Sequence, residues 1–393
     1  MTDARYGKVD SDGELEELAV LLNKAFGHAG DVELSRKWLS EHGPDAPRQV
    51  RAGGGLAAGL LRLPMGHFFG GRSVSTLGIA GVGVQPELRG QGYAKRIMAD
   101  ALREARAGGF ALSSLYASTF GLYRWLGYER AGQRFSVGVD PLHLRARDAG
   151  ARMRPLREDD EPVVRRLYEQ FARLGAGMLD RSDDNWRRAR NPARKPSQGV
   201  LILEDDEPTG YARWVQLECD EGPFELLVSD HAVATPVAAR RLLAFLADHG
   251  TMARKVFWFT GPGEPLLAML DTTRYELKHS ADWLLRLLDV RAALEARGYP
   301  AGVQAELHLE LEDSLFEENR GRFVLRVAAG RGALERGGDG RLCTDVRGLA
   351  PLYSGYVSAA QLRLTGQVAA DDATCATAAA VFAGPAPWMP DYF

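Results

Sequence analysis

A glycine-rich basic turn in the first third of the sequence has residue types that suit the binding of a phosphate group. The segment Arg89-Gly90-Gln91-Gly92-Tyr93-Ala94-Lys95 follows an apolar run at residues 79–84 and precedes a helical pattern. Glycines at the start of a helix let a ligand approach the backbone N–H groups, which together with the helix dipole favour a pyrophosphate. The side chains of Arg89 and Lys95 add positive charge at the same place.

This turn differs from the two common nucleotide-binding loops. A Walker loop needs a lysine followed by serine or threonine after its last glycine, whereas here the order is Gly92-Tyr93-Ala94-Lys95. The Rossmann spacing GxGxxG is not present either. On spacing alone, a glycine turn that binds no ligand stays open as an alternative.

The surrounding pattern predicts an α+β domain whose central sheet carries this turn at one end. Apolar residues at helical spacing predict helices at 15–26, 34–39 and 94–105 and a short helix at 119–126. Strands are predicted at 49–63, 72–84, 110–117 and 128–139, with residues 64–71 connecting the first two. One face of the 94–105 helix is apolar, so we expect it to pack on the sheet.

The order of helices and strands then repeats. After a charged connection at 141–160, a helix is predicted at 163–171, strands at 199–203, 208–217 and 223–229, and a helix at 236–249. The turn before that last helix, residues 230–239, contains no glycine, so side chains would crowd a phosphate there. We therefore predict that the second copy does not bind the ligand of the first.

A third, smaller α+β domain is predicted for the last part of the chain. The pattern gives a helix at 283–297, paired strands at 305–311 and 322–328, a turn at 337–340, and helices at 358–364 and 371–382. The sequence closes with the aromatic segment Trp388-Met389-Pro390-Asp391-Tyr392-Phe393.

Composition and charge argue against several classes of protein. The 393 residues have a net charge of −3 and no basic stripe, which disfavours nucleic-acid binding. No apolar run approaches the roughly 18 residues of a membrane span, and the polar N-terminus lacks a secretory signal, so we expect the cytoplasm. Cys219, Cys343 and Cys375 lie far apart in sequence, which argues against disulfides and against a zinc site.

Two elements of the first domain resemble the motifs of a known family. The segment from Arg89 to Ala94 resembles motif A, (Arg/Gln)-x-x-Gly-x-(Gly/Ala), of the GCN5-related N-acetyltransferases (GNAT), and Tyr123-Arg124-Trp125-Leu126-Gly127-Tyr128 resembles their Tyr-x-x-x-Gly-(Phe/Tyr) element. The motif-free second copy and a C-terminal domain similar to sterol carrier proteins resemble the Eis-type (enhanced intracellular survival) branch. This resemblance implies a catalytic GNAT domain at 1–149, a second GNAT-like domain at 150–284 and a sterol-carrier-like domain at 285–393.

The resemblance implies direct transfer of an acetyl group from acetyl-CoA, as a co-substrate without any metal, to a primary amine of a polyamine or an aminoglycoside-like molecule. It assigns cofactor contacts to Val82, Gly83, Val84, Arg89, Gly90, Gln91, Gly92, Tyr93, Ala94, Lys95, Ser118 and Thr119. Val82 to Val84 would hydrogen-bond the pantetheine arm, and Arg89 to Lys95 would hold the pyrophosphate.

Two residues are implied to move protons. Tyr123 is the expected general acid for the departing thiolate, because a phenol with a pKa of about 10 can protonate a thiolate whose conjugate acid has a pKa of about 8.5. The terminal carboxylate of Phe393 is the expected base for the amine. Its intrinsic pKa of about 3.3 to 3.7 requires a bridging water or burial. Tyr392 stands where the best-known member has an acid, with Asp391 as a possible substitute. Trp38 is expected in the core.

Two other functions are compatible with the sequence. A protein lysine ε-amino acetyltransferase would use the same chemistry. A lipid or small-molecule carrier with a vestigial acetyltransferase fold would need a tunnel in the third domain, lined by Leu307, Leu309, Leu311, Val324 and Val327. The alternation of these residues is more simply explained if they form the hydrophobic core of half-buried strands. The resemblance also implies a homo-oligomer, with hexamers known in the branch.

Overall fold

The computed structural model describes residues 4–26, 31–144, 150–192, 195–220 and 222–393. The expected domain boundary at residue 149 lies outside these described residues, next to Gly150. We describe the chain as three consecutive units.

The first unit contains the elements predicted around the glycine turn. They are β1 (Arg5–Lys8), α1 (Asp12–Phe26), α2 (Val32–Glu41), β2 (Pro47–Ala52), β3 (Gly55–Phe69), β4 (Arg72–Val84), α3 (Tyr93–Ala107), β5 (Leu112–Tyr116), α4 (Phe120–Trp125) and β6 (Glu129–Val139). The predicted single strand at 49–63 is wrong, because Gly53 and Gly54, both at positive φ, turn the chain into a hairpin of β2 and β3.

The predicted connection at 64–71 is also wrong for most of its length, because β3 continues to Phe69. Pro64 is tolerated in this strand because its outer edge is unpaired there: β3 pairs with β2 only up to Leu61 and with the two-residue strand β8 (Leu179–Asp180) from Gly66. The missing N–H of proline therefore costs no ladder hydrogen bond.

The second unit repeats the order of the first. Besides β8, it contains β7 (Arg152–Pro155), α5 (Glu161–Ala172), α6 (Asp183–Arg190), β9 (Gln198–Glu204), β10 (Glu207–Leu217), β11 (Phe224–Val233), α7 (Pro236–Ala247), β12 (Ala253–Thr260), α8 (Pro265–Ala268) and β13 (Tyr275–Leu287). The strands of both units form one continuous sheet, in which β13 lies between β5 and β6 of the first unit.

The start of the predicted helix at 283–297 is wrong, because Trp283 to Leu287 belong to β13. This segment pairs with β5 on one edge and with β6 on the other, and its large side chains are buried on both faces of the sheet. A strand buried on both faces has a continuous apolar run, which helical spacing alone does not distinguish from a helix. The expected boundary between residues 284 and 285 falls inside this strand.

The third unit is a separate α+β layer. It contains α9 (Val290–Ala296), β14 (Ala305–Glu312), β15 (Gly321–Ala328), β16 (Arg331–Arg336), β17 (Leu342–Asp345), α10 (Val346–Ser354), α11 (Ala359–Leu364), β18 (Val368–Ala369) and α12 (Asp372–Val381). Its five strands are ordered β16-β15-β14-β17-β18. The five residues considered for a lipid tunnel are all buried, and most of them pack in the main hydrophobic cluster of this unit.

Two hydrophobic layers cover the sheet of the first unit. On one face, α3 and α4 pack through a cluster that includes Ile97, Leu102 and Tyr123. On the other face, α1 packs through Leu18 and Leu22 in a cluster that extends into the third unit. Among the described helices, none is long and apolar enough to cross a membrane.

Candidate active site

The glycine turn has the backbone geometry that was predicted for it. Gly90 and Gly92 have φ values of +77° and +86°, which side chains rarely adopt, and Gly92 is the N-cap of α3. No side chain caps α3, so the N–H groups of its first turn are left for another partner. A Cβ placed on Gly90 would meet no atom within 4 Å. The turn is therefore an open cradle that fits a pyrophosphate.

The side chains of the turn differ in their exposure and therefore in whether they can contact a ligand in the cradle. Arg89, Gln91 and Lys95 are exposed, whereas Tyr93 is buried in the layer beneath α3 and can offer only its backbone. The ammonium of Lys95 lies 4.2 Å from the ring centroid of Trp125, which is a cation–π contact between α3 and α4.

A gap between β4 and β5 opens beside this cradle. The two strands pair in parallel at residues 76–78 and 112–114 and then continue to Val84 and Tyr116 without pairing with each other in the described chain. On its other edge, β4 pairs with β3 through Gly83 and Val84, and the register shifts there at a bulge that includes Gly81. The edge of β4 at Val82 to Val84 therefore faces the gap.

Ser118 and Thr119 lie on the opposite side of this gap, where the chain leaves β5. Both are exposed, and Thr119 precedes α4 without forming a side-chain cap. All the residues assigned to the cofactor from the sequence therefore lie around one feature, the gap together with the cradle at its end.

Tyr123 is held within α4 with its ring almost fully buried. The ring packs edge-on against Tyr128, with centroids 6.1 Å apart. Burial raises the pKa of Tyr123 to about 12, and within the described residues its hydroxyl has no hydrogen-bond partner. The neighbouring Tyr128 differs, because its hydroxyl is engaged with Ser113 at 2.6 Å. Tyr123 is thus a protonated phenol whose proton is not committed to the protein.

Phe393 lies at the point where β4 and β5 separate. A Cβ on Gly78 of β4 would be 3.1 Å from Cε2 of the Phe393 ring, so the absence of a side chain at residue 78 lets the ring lie on the strand. The ring of Tyr116, which ends β5, packs edge-on against Phe393 with centroids 5.5 Å apart. Phe393 is only 7% exposed.

Tyr123 and Phe393 belong to different layers of the first unit. Tyr123 packs in the cluster beneath α3, and Phe393 packs in the cluster that contains α1. The two residues therefore lie on opposite faces of the sheet.

At least six polar contacts among the described residues hold the segment 387–393 in the first and second units. The Tyr116 hydroxyl donates to the carbonyl of Asp391 at 2.7 Å, and the Arg134 guanidinium donates to that of Pro390 at 2.8 Å. Arg188 donates to the carbonyl of Tyr392 at 2.8 Å. The remaining contacts are the bonds from the backbone N–H of Gln133 to Pro387, from the backbone N–H of Trp388 to Ala176, and from Arg181 to Asp391.

The carboxylate of Asp391 is paired within the protein. Arg181 donates to its two oxygens at 2.9 and 3.2 Å. Its negative charge is therefore compensated, which weakens the idea that Asp391 supplies the charge of an amine pocket. Trp38 is half-buried rather than fully in the core, and its ring lies over Gly81 at the bulge of β4.

At the corresponding position in the second unit, a side chain uses a donor of the first helical turn. Helix α7 is capped by Thr235, whose hydroxyl accepts a hydrogen bond from the N–H of Ala238 at 3.0 Å. The first-turn donors that are free in α3 are thus partly used in α7, as the glycine-free sequence predicts. Within the described residues, no group of three or more His, Cys, Asp or Glu side chains could hold a metal ion.

Sequence reasoning missed four side chains that hold the tail segment near the gap: Tyr116, Arg134, Arg181 and Arg188. Each lies more than 200 residues from its partner in the tail. A lone arginine or tyrosine in a strand, helix or turn carries no local pattern that would indicate such a contact.

Comparisons with known proteins agree with this architecture. Models of an acetyltransferase (GNAT) domain match residues 8–131 and 177–287, and a model of a sterol carrier protein domain matches residues 290–390. An uncharacterized N-acetyltransferase of Streptomyces griseus is 30% identical over 82% of this chain and 83% of its own length. The N-acetyltransferase Eis of Mycobacterium tuberculosis is 28% identical over 65% of this chain and 64% of its own length.

A solved structure has the same fold over almost the whole chain. The crystal structure of a GCN5-related N-acetyltransferase from Anabaena variabilis is 34% identical, covers 99% of this chain and 100% of its own, and has a TM-score of 0.93.

Proposed function

The chain belongs to the Eis-type branch of the GCN5-related N-acetyltransferases, and on this basis we propose that it transfers the acetyl group of acetyl-CoA to a primary amine of a small polycationic molecule. An aminoglycoside-like compound or a polyamine is the expected class of acceptor. The proposal rests on one observation above all: Tyr123, whose hydroxyl has no hydrogen-bond partner among the described residues, and Phe393, at the end of the tail segment, lie on opposite faces of the sheet that contains the gap.

Acetyl-CoA fits the cradle and the gap. The N–H groups from Gly90 to Lys95 would hold the pyrophosphate, with the positive charge of Arg89 nearby. The edge of β4 at Val82 to Val84 would add strand-like hydrogen bonds to the amides of the pantetheine arm. The thioester would then lie close to the point, near Gly78, where β4 and β5 separate. Ser118 and Thr119 would contact the arm from the other side.

Tyr123 would act as the general acid. As the amine nitrogen bonds to the acetyl carbon, the C–S bond breaks and the sulfur leaves as a thiolate. A phenol whose pKa is about 12 keeps its proton at neutral pH and can donate it in a hydrogen bond to the leaving sulfur. Full transfer to a thiolate whose conjugate acid has a pKa of about 8.5 is uphill, so the phenolate would take its proton back from solvent as the product leaves. Because no acyl-enzyme forms, no nucleophilic cysteine or serine is required.

The α-carboxylate of Phe393 would act as the base. The acceptor is an ammonium near neutral pH, with a pKa of about 10.4, and must lose a proton before it attacks. Phe393 is buried beside Tyr116 on the face of the sheet opposite Tyr123. Partial burial raises the pKa of a carboxylate, and one bridging water would complete the transfer.

Acetyl-CoA binding and the choice of acceptor can be tested separately. We expect acetyl-CoA to raise the melting temperature of the protein, by an amount that grows with its concentration. We also expect CoA release with a polyamine or an aminoglycoside to exceed that with a lysine peptide, when kcat/KM is compared in parallel assays. Preference for the peptide would instead identify a protein lysine acetyltransferase.

A further inference from the structure

The second unit contains a strand gap equivalent to that of the first unit, and the tail segment fills its mouth. Strands β11 and β12 pair in parallel at residues 224–228 and 253–258 and then separate. Directly after β12, the ring of Trp388 lies so close to Gly261 that a Cβ there would overlap it. Trp388 is almost fully buried and belongs to the hydrophobic cluster of the second unit.

A buried charge cluster holds the tail beside this gap. The guanidinium of Arg181 binds both oxygens of Asp230, which lies on β11 just beyond the paired region, at 2.9 and 3.0 Å, and it reaches Asp391 as well. Its planar group lies over the rings of Tyr168 and Trp186, at 3.8 and 4.8 Å from their centroids. Tyr211 donates to Asp230 at 2.7 Å. Arg181 is therefore held by residues of the second unit as well as by Asp391 of the tail.

We infer that the second unit is the receptor of the tail, and that Gly261 and Arg181 are positioning residues for the proton acceptor of the first unit. This inference rests on the proposed role of Phe393. Only four residues separate Trp388 from Phe393, a chain that spans at most roughly 18 Å. The tail is bound again at Asp391 and Tyr392, so a displacement at Trp388 or Asp391 is passed on to Phe393.

The geometry also explains why Asp391 differs from a substrate-binding acid. Its charge faces Arg181, and its backbone carbonyl faces Tyr116 of the first unit. One residue thus joins the second unit to the border of the catalytic gap. In this arrangement the second acetyltransferase fold provides no cofactor site and instead sets the position of the base.

Gly261→Ala tests the receptor without changing any charge. The φ of Gly261 is not in the left-handed region, and the three atoms nearest to the added methyl group all belong to Trp388. Gly302→Ala is the matched control, because a Cβ there meets no atom within 4 Å and its φ is also ordinary. Asp391→Asn is the second variant, which removes the charge that Arg181 binds while keeping the size of the side chain.

Two measurements on the full-length protein separate docking from catalysis. Mass spectrometry after brief carboxypeptidase A treatment reports the loss of Phe393 and Tyr392, and steady-state kinetics with acetyl-CoA and a polyamine report kcat. In Gly261→Ala and Asp391→Asn we expect release of Phe393 to rise at least roughly tenfold and kcat to fall roughly 10- to 100-fold. The Kd of acetyl-CoA should stay within about twofold, because the cradle is untouched.

Four results would each decide for or against the inference. A tail that stays protected in both variants would overturn the inference. A released tail with unchanged kcat would also overturn it, provided that removal of Phe393 by itself lowers kcat. Removal of Phe393 from Gly261→Ala should cost nothing beyond removal of Phe393 alone, and this non-additivity would support it. If removal of Phe393 alone leaves kcat unchanged while Gly261→Ala releases the tail, the proposed base is wrong and the receptor role of the second unit is supported.

Discussion

The hydroxyl of Tyr116 donates a hydrogen bond of 2.7 Å to the backbone carbonyl of Asp391, although 275 positions separate the two residues. Tyr116 ends β5 and therefore borders the gap in which acetyl-CoA is proposed to bind. Its ring also stacks on Tyr392 and packs edge-on against Phe393, with centroids 4.4 and 5.5 Å away. The side chain of Tyr116 thus fixes the position of the proposed base relative to the proposed cofactor site.

Removal of Phe393 should lower kcat strongly, while Phe393→Leu should lower it far less. The truncation moves the α-carboxylate back by one residue, roughly 3.5 Å, and it removes the ring that lies on Gly78. The leucine variant keeps both the carboxylate and an apolar anchor. We expect a loss of roughly 10²-fold or more for the truncation, measured as kcat at saturating acetyl-CoA. An unchanged kcat would show that the terminal carboxylate is not the base.

Tyr123→Phe should lower kcat by roughly 10²-fold or more and leave the affinity for acetyl-CoA unchanged. The ring packing is preserved, and only the proton of the proposed acid is lost. Because burial raises the pKa of Tyr123 to about 12, ionisation of this phenol should not lower the wild-type kcat between pH 8 and 10. Stopped-flow or steady-state measurements across this range would check both points.

Tyr128→Phe is the control for this experiment. Its hydroxyl is bound to Ser113 within the core, so the variant should lose about 1 kcal/mol in the free energy of unfolding. Its kcat should stay near that of the wild type. A comparable loss of kcat in both variants would mean that Tyr123 acts through packing rather than as an acid.

The features that could be predicted from the sequence are those that depend only on residues close together in the chain. The glycine turn needs positive φ at Gly90 and Gly92, and the structure has it at both. Helical spacing predicted α3 and α4, and the lack of a glycine before α7 agrees with its capped N-terminus. These are local requirements of the backbone, and a single sequence states them directly.

The features that sequence could not predict depend on pairing across long separations. Trp283 continues a strand because two strands of the first unit lie on either side of it, and its own residues fit a helix equally well. The role of the tail was expected only from resemblance, and its receptor was not expected at all. The role of a buried arginine such as Arg181 depends on its ion pairs with Asp230 and Asp391, and these residues come together only when the chain folds.

Gly90→Ala should weaken acetyl-CoA binding, and Gly109→Ala should not. Both glycines have positive φ, +77° and +84°, and at both a Cβ meets no atom within 4 Å. The strained backbone should therefore lower the free energy of unfolding of each variant by a similar amount, roughly 1–2 kcal/mol. Only Gly90 lies in the cradle, so only Gly90→Ala should reduce the increase in melting temperature that acetyl-CoA causes. Equal responses to acetyl-CoA would place the pyrophosphate elsewhere.

His67→Gln should make the stability of the protein less dependent on pH under acidic conditions. His67 is fully buried, its Nδ1 lies 2.9 Å from the carbonyl of Gly177, and its ring stacks on Trp283. Burial lowers the pKa of His67 to about 4, whereas the unfolded chain binds this proton near pH 6.5. Stability that is present above pH 6.5 is therefore lost as the pH falls towards 4, by about 1.4 kcal/mol per pH unit at most.

The glutamine variant keeps a donor for the carbonyl of Gly177 but has no proton to gain in this range. Urea unfolding of both proteins between pH 4.5 and 6.5 should show a steeper loss for the wild type than for His67→Gln. Because His67 packs where the first two units meet, through Gly177 and Trp283, protonation would act on the contact between them. Parallel pH dependences in the two proteins would mean that other groups account for the acid sensitivity and that His67 binds its proton as easily in the folded state as in the unfolded one.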